Sequence, residues 1–172
     1  MIHAERLYLR EFTTNDLDYL NELLSHPETM QHWPAPLSPA EVGAWLERSL
    51  TSYGTYGFGR WLVVLEHSGQ PIGDVGLLRL KVDGRLENDL GYIIHEAHWG
   101  HGFGVEAARA CVAWAAQHGL ASIVASMAVD NEPSVGVAEQ LGMVRERTFI
   151  NSRNENKETY LYRLDLVSWS VA

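Results

Sequence analysis

The chain has one cysteine, Cys111, so an internal disulfide is excluded and a reducing compartment is the natural home. That residue falls inside an apolar run, where it reads as a small buried hydrophobe, because a reactive thiol needs an electropositive, partly exposed setting. Long hydrophobic stretches are missing as well. Nowhere do about 18 apolar residues follow one another, and no membrane-spanning helix is expected. The opening "MIHAERLYLREF" puts Glu5, Arg6, Arg10 and Glu11 where a signal peptide would need an apolar core, so the expectation is a soluble, cytoplasmic protein. Positive charge is scarce. Against 22 Asp and Glu stand 13 Lys and Arg, a formal net charge of -9, and such a field repels nucleic acid and anionic lipid. No nucleic-acid or membrane partner is expected, and an anionic ligand would have to be held by local dipoles. Repeats, low-complexity blocks and Pro/Gly/Ser linkers are absent too, which leaves a single domain over residues 1–172.

What is present is a regular succession of hydrophobic segments. "LYLREF" alternates as a strand, and "TTNDLDYLNELLSH" follows with Leu17, Leu20 and Leu24 at helical spacing. "SPAEVGAWLERSL" opens with Ser38, Pro39 and Glu41, a capping box with proline at the first helical position, and Val42, Trp45, Leu46 and Leu50 form its apolar stripe. Three strands, over residues 61–66, 71–81 and 86–95, are joined by the turn signals "HSGQP" and "VDGR", so they are antiparallel neighbours. A long helix after residue 102, the strand "SIVASMAV", the short helix "NEPSVGVAEQLG" and two closing strands, "VRERTFI" and "ETYLYRLDL", complete the order β-α-α-β-β-β-α-β-α-β-β. That order specifies an α/β (α+β) fold, a mixed, mostly antiparallel central sheet flanked by helices.

In "HWGHGFGVEA", Gly100, Gly102 and Gly104 stand at alternate positions ahead of a helix. No lysine follows the last glycine, which excludes a Walker A loop, and Val105 stands where the dinucleotide pattern needs its third glycine or an alanine. What remains is a strand, a sharp turn and a helix whose first N–H groups are free, an anion site made from backbone dipoles. The plainer alternative is that the glycines only permit a tight turn.

The stretch resembles motif A of the GNAT acetyltransferase superfamily, Q/R-x-x-G-x-G/A, with Gly102 and Gly104 on its glycine positions. Trp99 departs from the Q/R position, although an aromatic-glycine pair there is usual in the ribosomal-protein (alanine/serine) N-terminal acetyltransferases. "AERLYLREFTTNDLDYLNELLSHPETM", "DLGYIIHEAHWGHGFGVEA", "NEPSVGVAEQLGM" and "LYRLDLVSW" are similar to blocks of that subfamily in the same order. The resemblance implies a sheet splayed between its fourth and fifth strands, with acetyl-CoA in the gap as co-substrate and no metal. It implies that backbone near Tyr92 and Ile94 pairs with the pantetheine arm, that Trp99, Gly100, His101, Gly102, Phe103, Gly104 and Val105 cradle the pyrophosphate, and that Asn131 binds pantetheine amides. It further implies an acetyl transfer to a primary amine, on a protein N-terminus or a small molecule, by direct attack in a ternary complex. An acyl-CoA-binding module without catalysis is the competing reading. Homodimers are common among such relatives.

The chemistry needs a neutral amine, a polarised carbonyl and a proton for the departing thiolate. By the same resemblance Ser134 is the proton donor and a backbone N–H of the fourth strand polarises the carbonyl. Asn131 and Ser134 equally suit helix capping around Pro133. The subfamily usually has an acidic residue before an L/I-G-Y triplet like "LGY", so the resemblance makes Asp89 and Glu87, which share a strand face, acidic candidates for deprotonation, with a solvated turn carboxylate as the alternative; an ordinary carboxylate near ~4 is a weak base, so a water chain starting at Asp89 is the expected route. Glu158 and Tyr162 match acidic and tyrosine positions of the last strand, and Tyr162 either lines the acceptor pocket or fills the core. His95, His98 and His101 share no helix face and lack a carboxylate or cysteine at ligand spacing, so no zinc site is expected. Trp45, Trp61 and Trp114 read as core. Trp33 is a candidate roof for the acceptor site, although core burial is the plainer reading. The loops "HPETMQHWPAPLS" and "TSYGTYGFGR" are expected to build the acceptor surface, the second one mobile.

Overall fold

The structure, a computed structural model, describes residues 1–169. In chain order it contains β1 (Ile2–His3), β2 (Leu7–Glu11), α1 (Leu17–Ser25), α2 (Pro39–Tyr56), β3 (Arg60–Leu65), β4 (Pro71–Val82), β5 (Arg85–Ile94), α3 (Phe103–Gln117), β6 (Ser122–Ala128), α4 (Glu132–Gln140), β7 (Val144–Asn151) and β8 (Lys157–Asp165). The strands form one sheet in the order β1-β2-β3-β4-β5-β6-β8-β7. Every neighbouring pair is antiparallel except β5 and β6, which the α3 crossover makes parallel. No helix among the described residues is long and apolar enough to cross a membrane.

Strand β3, "RWLVVL", is buried along its whole length because both faces of the sheet are covered there. Its side chains divide by strict alternation. Leu62 and Val64 join Leu20, Leu23, Leu24, Val42 and Leu46 under α1 and α2, whereas Trp61, Val63 and Leu65 join Ala107, Ala108, Cys111 and Val112 under α3. The small residues of α3 let that helix lie close on the sheet. At burial of this depth the Cys111 thiol is pushed up to about 12.

The pairing of β4 with β5 extends from Gly73↔Ile94 to Val82↔Arg85, but β5 meets β6 at a single position, Asp89↔Val124. The sheet therefore splays between these strands, as the resemblance implied, and the vertex of the gap is Asp89.

Two local expectations are corrected. The first turn before α1 is a 3-10 turn over Thr14–Asp16, because the Asp16 carboxylate accepts from the Thr13 N–H (2.7 Å) and binds Arg10 (2.6 Å). This leaves Leu17 exposed, and Leu20, Leu23 and Leu24 carry the buried face. The segment "TSYGTY" is the last part of α2 and not a mobile loop. Gly57 ends the helix in the left-handed region (φ 76) with its N–H on the Tyr53 carbonyl, and the Ser52 hydroxyl and the Tyr53 phenol tie the helix to Phe58 and Phe12. Ser38 and Glu41 form the expected capping box, with the Ser38 N–H donating to Glu41 Oε2 at 2.8 Å.

Candidate active site

The end of β5 leads through a 3-10 turn, Glu96–His98, into the glycine turn. Gly100 (φ 77) and Gly102 (φ 79) lie in the left-handed region, so the turn itself requires them. Gly104 is different. A Cβ there would meet only Ile94 Cγ1 at 3.7 Å and Val137 Cγ2 at 3.9 Å, ordinary contacts, so neither backbone nor packing demands a glycine in this helical turn. Its missing side chain leaves room on the cleft side.

Gly102 is the N-cap of α3 and provides no side chain, whereas α2 and α4 are capped by Ser38 and Asn131. The N–H groups of Phe103, Gly104 and Val105 are thus left for an external acceptor at the positive end of a 15-residue helix. The only acid of that first turn, Glu106, is neutralised by Arg6, whose backbone N–H (2.6 Å) and Nε (2.7 Å) both donate to its carboxylate. The Arg6 guanidinium also lies 4.6 Å from the Phe103 ring centroid, at the rim of the turn. An anion at α3 therefore meets helix dipoles and a compensated ion pair instead of a free carboxylate. The donor set fits the pyrophosphate of acetyl-CoA.

Of the ten residues assigned to the cofactor, nine line one cavity of 390 Å³: Tyr92, Ile94, Trp99, Gly100, Gly102, Phe103, Gly104, Val105 and Asn131. His101 does not line it. Its Nδ1 lies 2.8 Å from the Trp99 carbonyl and its ring stacks on Phe103. His98 lines the cavity in its place, and burial, followed by the neighbouring His95 and His101, lowers its pKa. Trp99, the departure from the motif, donates its indole N–H to the Ile94 carbonyl at 2.7 Å and so pins the end of β5.

A second cavity of 450 Å³ occupies the splay itself. It shares His32, Trp33, Tyr92, Ile93, Asn131 and Ser134 with the first, so the two spaces lie side by side. Asn131 caps α4, its Oδ1 accepting from the Ser134 N–H at 3.2 Å, and still faces both cavities. Capping and site lining therefore coexist at this residue. The Tyr92 hydroxyl donates to the Ser134 carbonyl at 2.7 Å, bridging the gap from β5 to α4, and burial raises its pKa.

Asp89 lines the second cavity, and its Oδ1 is enclosed with no hydrogen-bond partner. Burial pushes its pKa up to about 6, against the opposing pull of Arg153, Arg60 and the Ser126 hydroxyl. It is not a solvated turn carboxylate. Glu87, two residues earlier, is held by Arg163 (2.7 Å), and that hydrogen bond keeps its pKa low. Tyr162 fills the core and donates to Glu139 at 3.2 Å, and Glu158 is exposed; neither lines the two cavities. Trp33 is exposed at 39 %, packs edge-on against Trp45 and faces both cavities, so it is a roof and not core.

Several lining residues escaped the sequence reading. Arg60 was the most legible, a charge opening the otherwise apolar strand "RWLVVL". Arg48 and Arg153 lie in a helix and a turn whose patterns say nothing of the cavity they face.

A profile of the acetyltransferase (GNAT) domain matches residues 6–144 of the chain. The uncharacterized protein YkkB of Bacillus subtilis (strain 168) is 26% identical over 161 residues, covering 92% of each chain. A GNAT-family acetyltransferase from Bacillus anthracis superposes with a TM-score of 0.81 at 23% identity, covering 97% of this chain and 99% of that one. A ribosomal L7/L12 α-N-protein acetyltransferase solved in complex with coenzyme A gives a TM-score of 0.80 at 16% identity, with 95% and 97% covered. With the profile spanning most of its length and the splayed sheet in place, the chain belongs to the GNAT family of acetyltransferases, acyltransferases that draw on acetyl-CoA.

Proposed function

We propose that the chain is an N-acetyltransferase that moves the acetyl group of acetyl-CoA to a primary amine, on a protein N-terminus or a small molecule, by direct attack in a ternary complex. One observation carries this reading. The cavity at the uncapped start of α3 adjoins the cavity that Asp89 lines, and Ser134 borders both. Acetyl-CoA supplies a thioester carbonyl when bound. The α3 N–H groups hold its pyrophosphate, and Asn131 and the end of β5 orient its arm. In the transfer the acceptor nitrogen bonds to the carbonyl carbon and the carbon–sulfur bond breaks. Asp89, directly or through water, takes the proton the amine must lose, and its raised pKa narrows the gap to an ammonium. The Ser134 hydroxyl returns a proton to the departing sulfur. That a solved protein of this fold acts on a ribosomal-protein α-amine fits the class of acceptor.

A cofactor-binding module without catalysis would have no use for Asp89 as it stands. A carboxylate with one oxygen buried and without a hydrogen-bond partner disfavours folding at neutral pH, and such groups concentrate at reactive sites. The test is a thiol-release assay with acetyl-CoA against peptides with free N-termini, polyamines, aminoglycosides and amino acids. Because Cys111 is buried and its thiol pushed up, the reagent reads released coenzyme and not protein. Stoichiometric thiol release and amide formation with one class is expected. Calorimetric binding of acetyl-CoA with no release for any amine would favour the binding module instead.

A further inference from the structure

The 450 Å³ cavity runs against the charge of the whole chain. The chain carries a net charge of -9, yet three arginines, Arg48, Arg60 and Arg153, line this space with one carboxylate, Asp89. They converge from separate places: α2, the first residue of β3, and the turn between β7 and β8. The Arg48 and Arg60 guanidinium carbons lie 5.4 and 5.2 Å from the centroid of the Trp45 ring. Among the described residues neither Arg48 nor Arg153 has a carboxylate partner.

Arg60 has one, the fully buried Asp74, which also accepts from the Trp45 indole at 2.7 Å. That contact uses Arg60 Nε (2.7 Å) and Nη2 (3.4 Å) and leaves Nη1 without a hydrogen-bond partner among the described residues. Nη1 passes over Gly91, where an added Cβ would come within 1.8 Å. Gly91 is therefore the opening through which this guanidinium reaches the β5 wall. Even with Asp74 counted, the surroundings hold more positive than negative charge. Burial and then repulsion from Arg60 and Arg153 pull the Arg48 pKa below its ordinary value, the mark of a cation without compensation.

An amine alone explains Asp89 but not three arginines, and a polyamine would be repelled by them. On the transferase reading above, we infer that the acceptor is an amine that also bears an anionic group, a carboxylate or a phosphate, with Arg48, Arg60 and Arg153 facing the anion and Asp89 facing the amine. Planar guanidinium groups bind both kinds of anion in two-pronged fashion, so the shared chemistry is the oxyanion.

The experiment compares kcat/KM for matched pairs with acetyl-CoA. One arm sets free amino acids against their α-amides, a second sets amino-sugar phosphates against the unphosphorylated sugars, and spermidine is the cationic control. The anionic member is expected to be preferred at least tenfold in one arm, which identifies the anion. In Arg153→Gln and Arg48→Gln, both changed at the exposed cavity mouth, the preference should fall several-fold through KM while calorimetric affinity for acetyl-CoA is kept. Equal use of both members in both arms, or a preference for spermidine, overturns the inference. Should no amine release thiol, the transferase reading has failed separately. Titration of the same pairs into coenzyme-loaded protein, read by the fluorescence of the lining Trp33 and Trp45, then decides alone. Tighter binding of the anionic member sustains the inference, and equal or absent binding overturns it.

Discussion

Burial of the Asp89 carboxylate shifts its titration from 3.8 to about 6, which on the proposed mechanism ties stability to activity at one group. The folded-state pKa lies above the unfolded one, so the folded protein binds the proton more tightly. The cost is absent below about pH 4, where both states are protonated, grows between the two pKa values, and is complete above about pH 6. A shift of this size corresponds to a cost on the order of 2–3 kcal/mol. Asp89→Asn should therefore stabilise the protein by that order at pH 8 and scarcely at pH 4, measured by urea denaturation at each pH. Equal gains at both values would remove the linkage. In the same variant the rise of kcat/KM through about pH 6, expected in the parent, should disappear along with most of the turnover. The sequence exposed Asp89 as a candidate because its resemblance placed an acid before "LGY". It could not expose the enclosure, which comes from Ser126 and the other residues across a gap that no local pattern encodes.

At the start of α3, two glycines answer to backbone geometry and the third answers to space. If Gly104 is kept open for a ligand, Gly104→Ala should raise the stability of the free protein by up to ~1 kcal/mol, the usual helical preference for alanine over glycine. It should also weaken acetyl-CoA binding several-fold. Melting curves and calorimetry on one preparation check both, and a variant that melts higher with unchanged affinity would return Gly104 to a structural role. Most elements were legible because their signals were local: Ser38 to Glu41 for the start of α2, "VDGR" for the β4–β5 turn, Pro133 for α4. The misread end of α2 has a tertiary cause, since Ser52 and Tyr53 are fastened to residues beyond the helix and carry it past Gly54 to Gly57. The two-residue β1 exists only through its pairing with Tyr8 and Leu9, so its own sequence could not announce it.

Over the whole molecule the splay divides the sheet into β1 to β5 and β6 to β8. Near the vertex they are joined by the Asp89–Val124 bridge, by Asn88 Nδ2 donating to the Ser122 carbonyl at 3.1 Å, and by Arg163 of β8 reaching Glu87 of β5. Farther out the Tyr92–Ser134 hydrogen bond spans the gap. A ligand held by the α3 start on one side and Asn131 on the other would add a further link beside the Tyr92–Ser134 and Arg109–Gln140 hydrogen bonds. Binding to the folded state alone stabilises by about 2.7 kcal/mol at a free concentration one hundred times Kd. Coenzyme A at that concentration should slow amide exchange in the glycine turn, along the end of β5 and in α4 together, and leave α1 and β1 unchanged. Hydrogen exchange read by mass spectrometry resolves these segments. Protection confined to the glycine turn, with α4 exchanging as before, would mean that the cofactor occupies one wall of the splay and does not join the two halves.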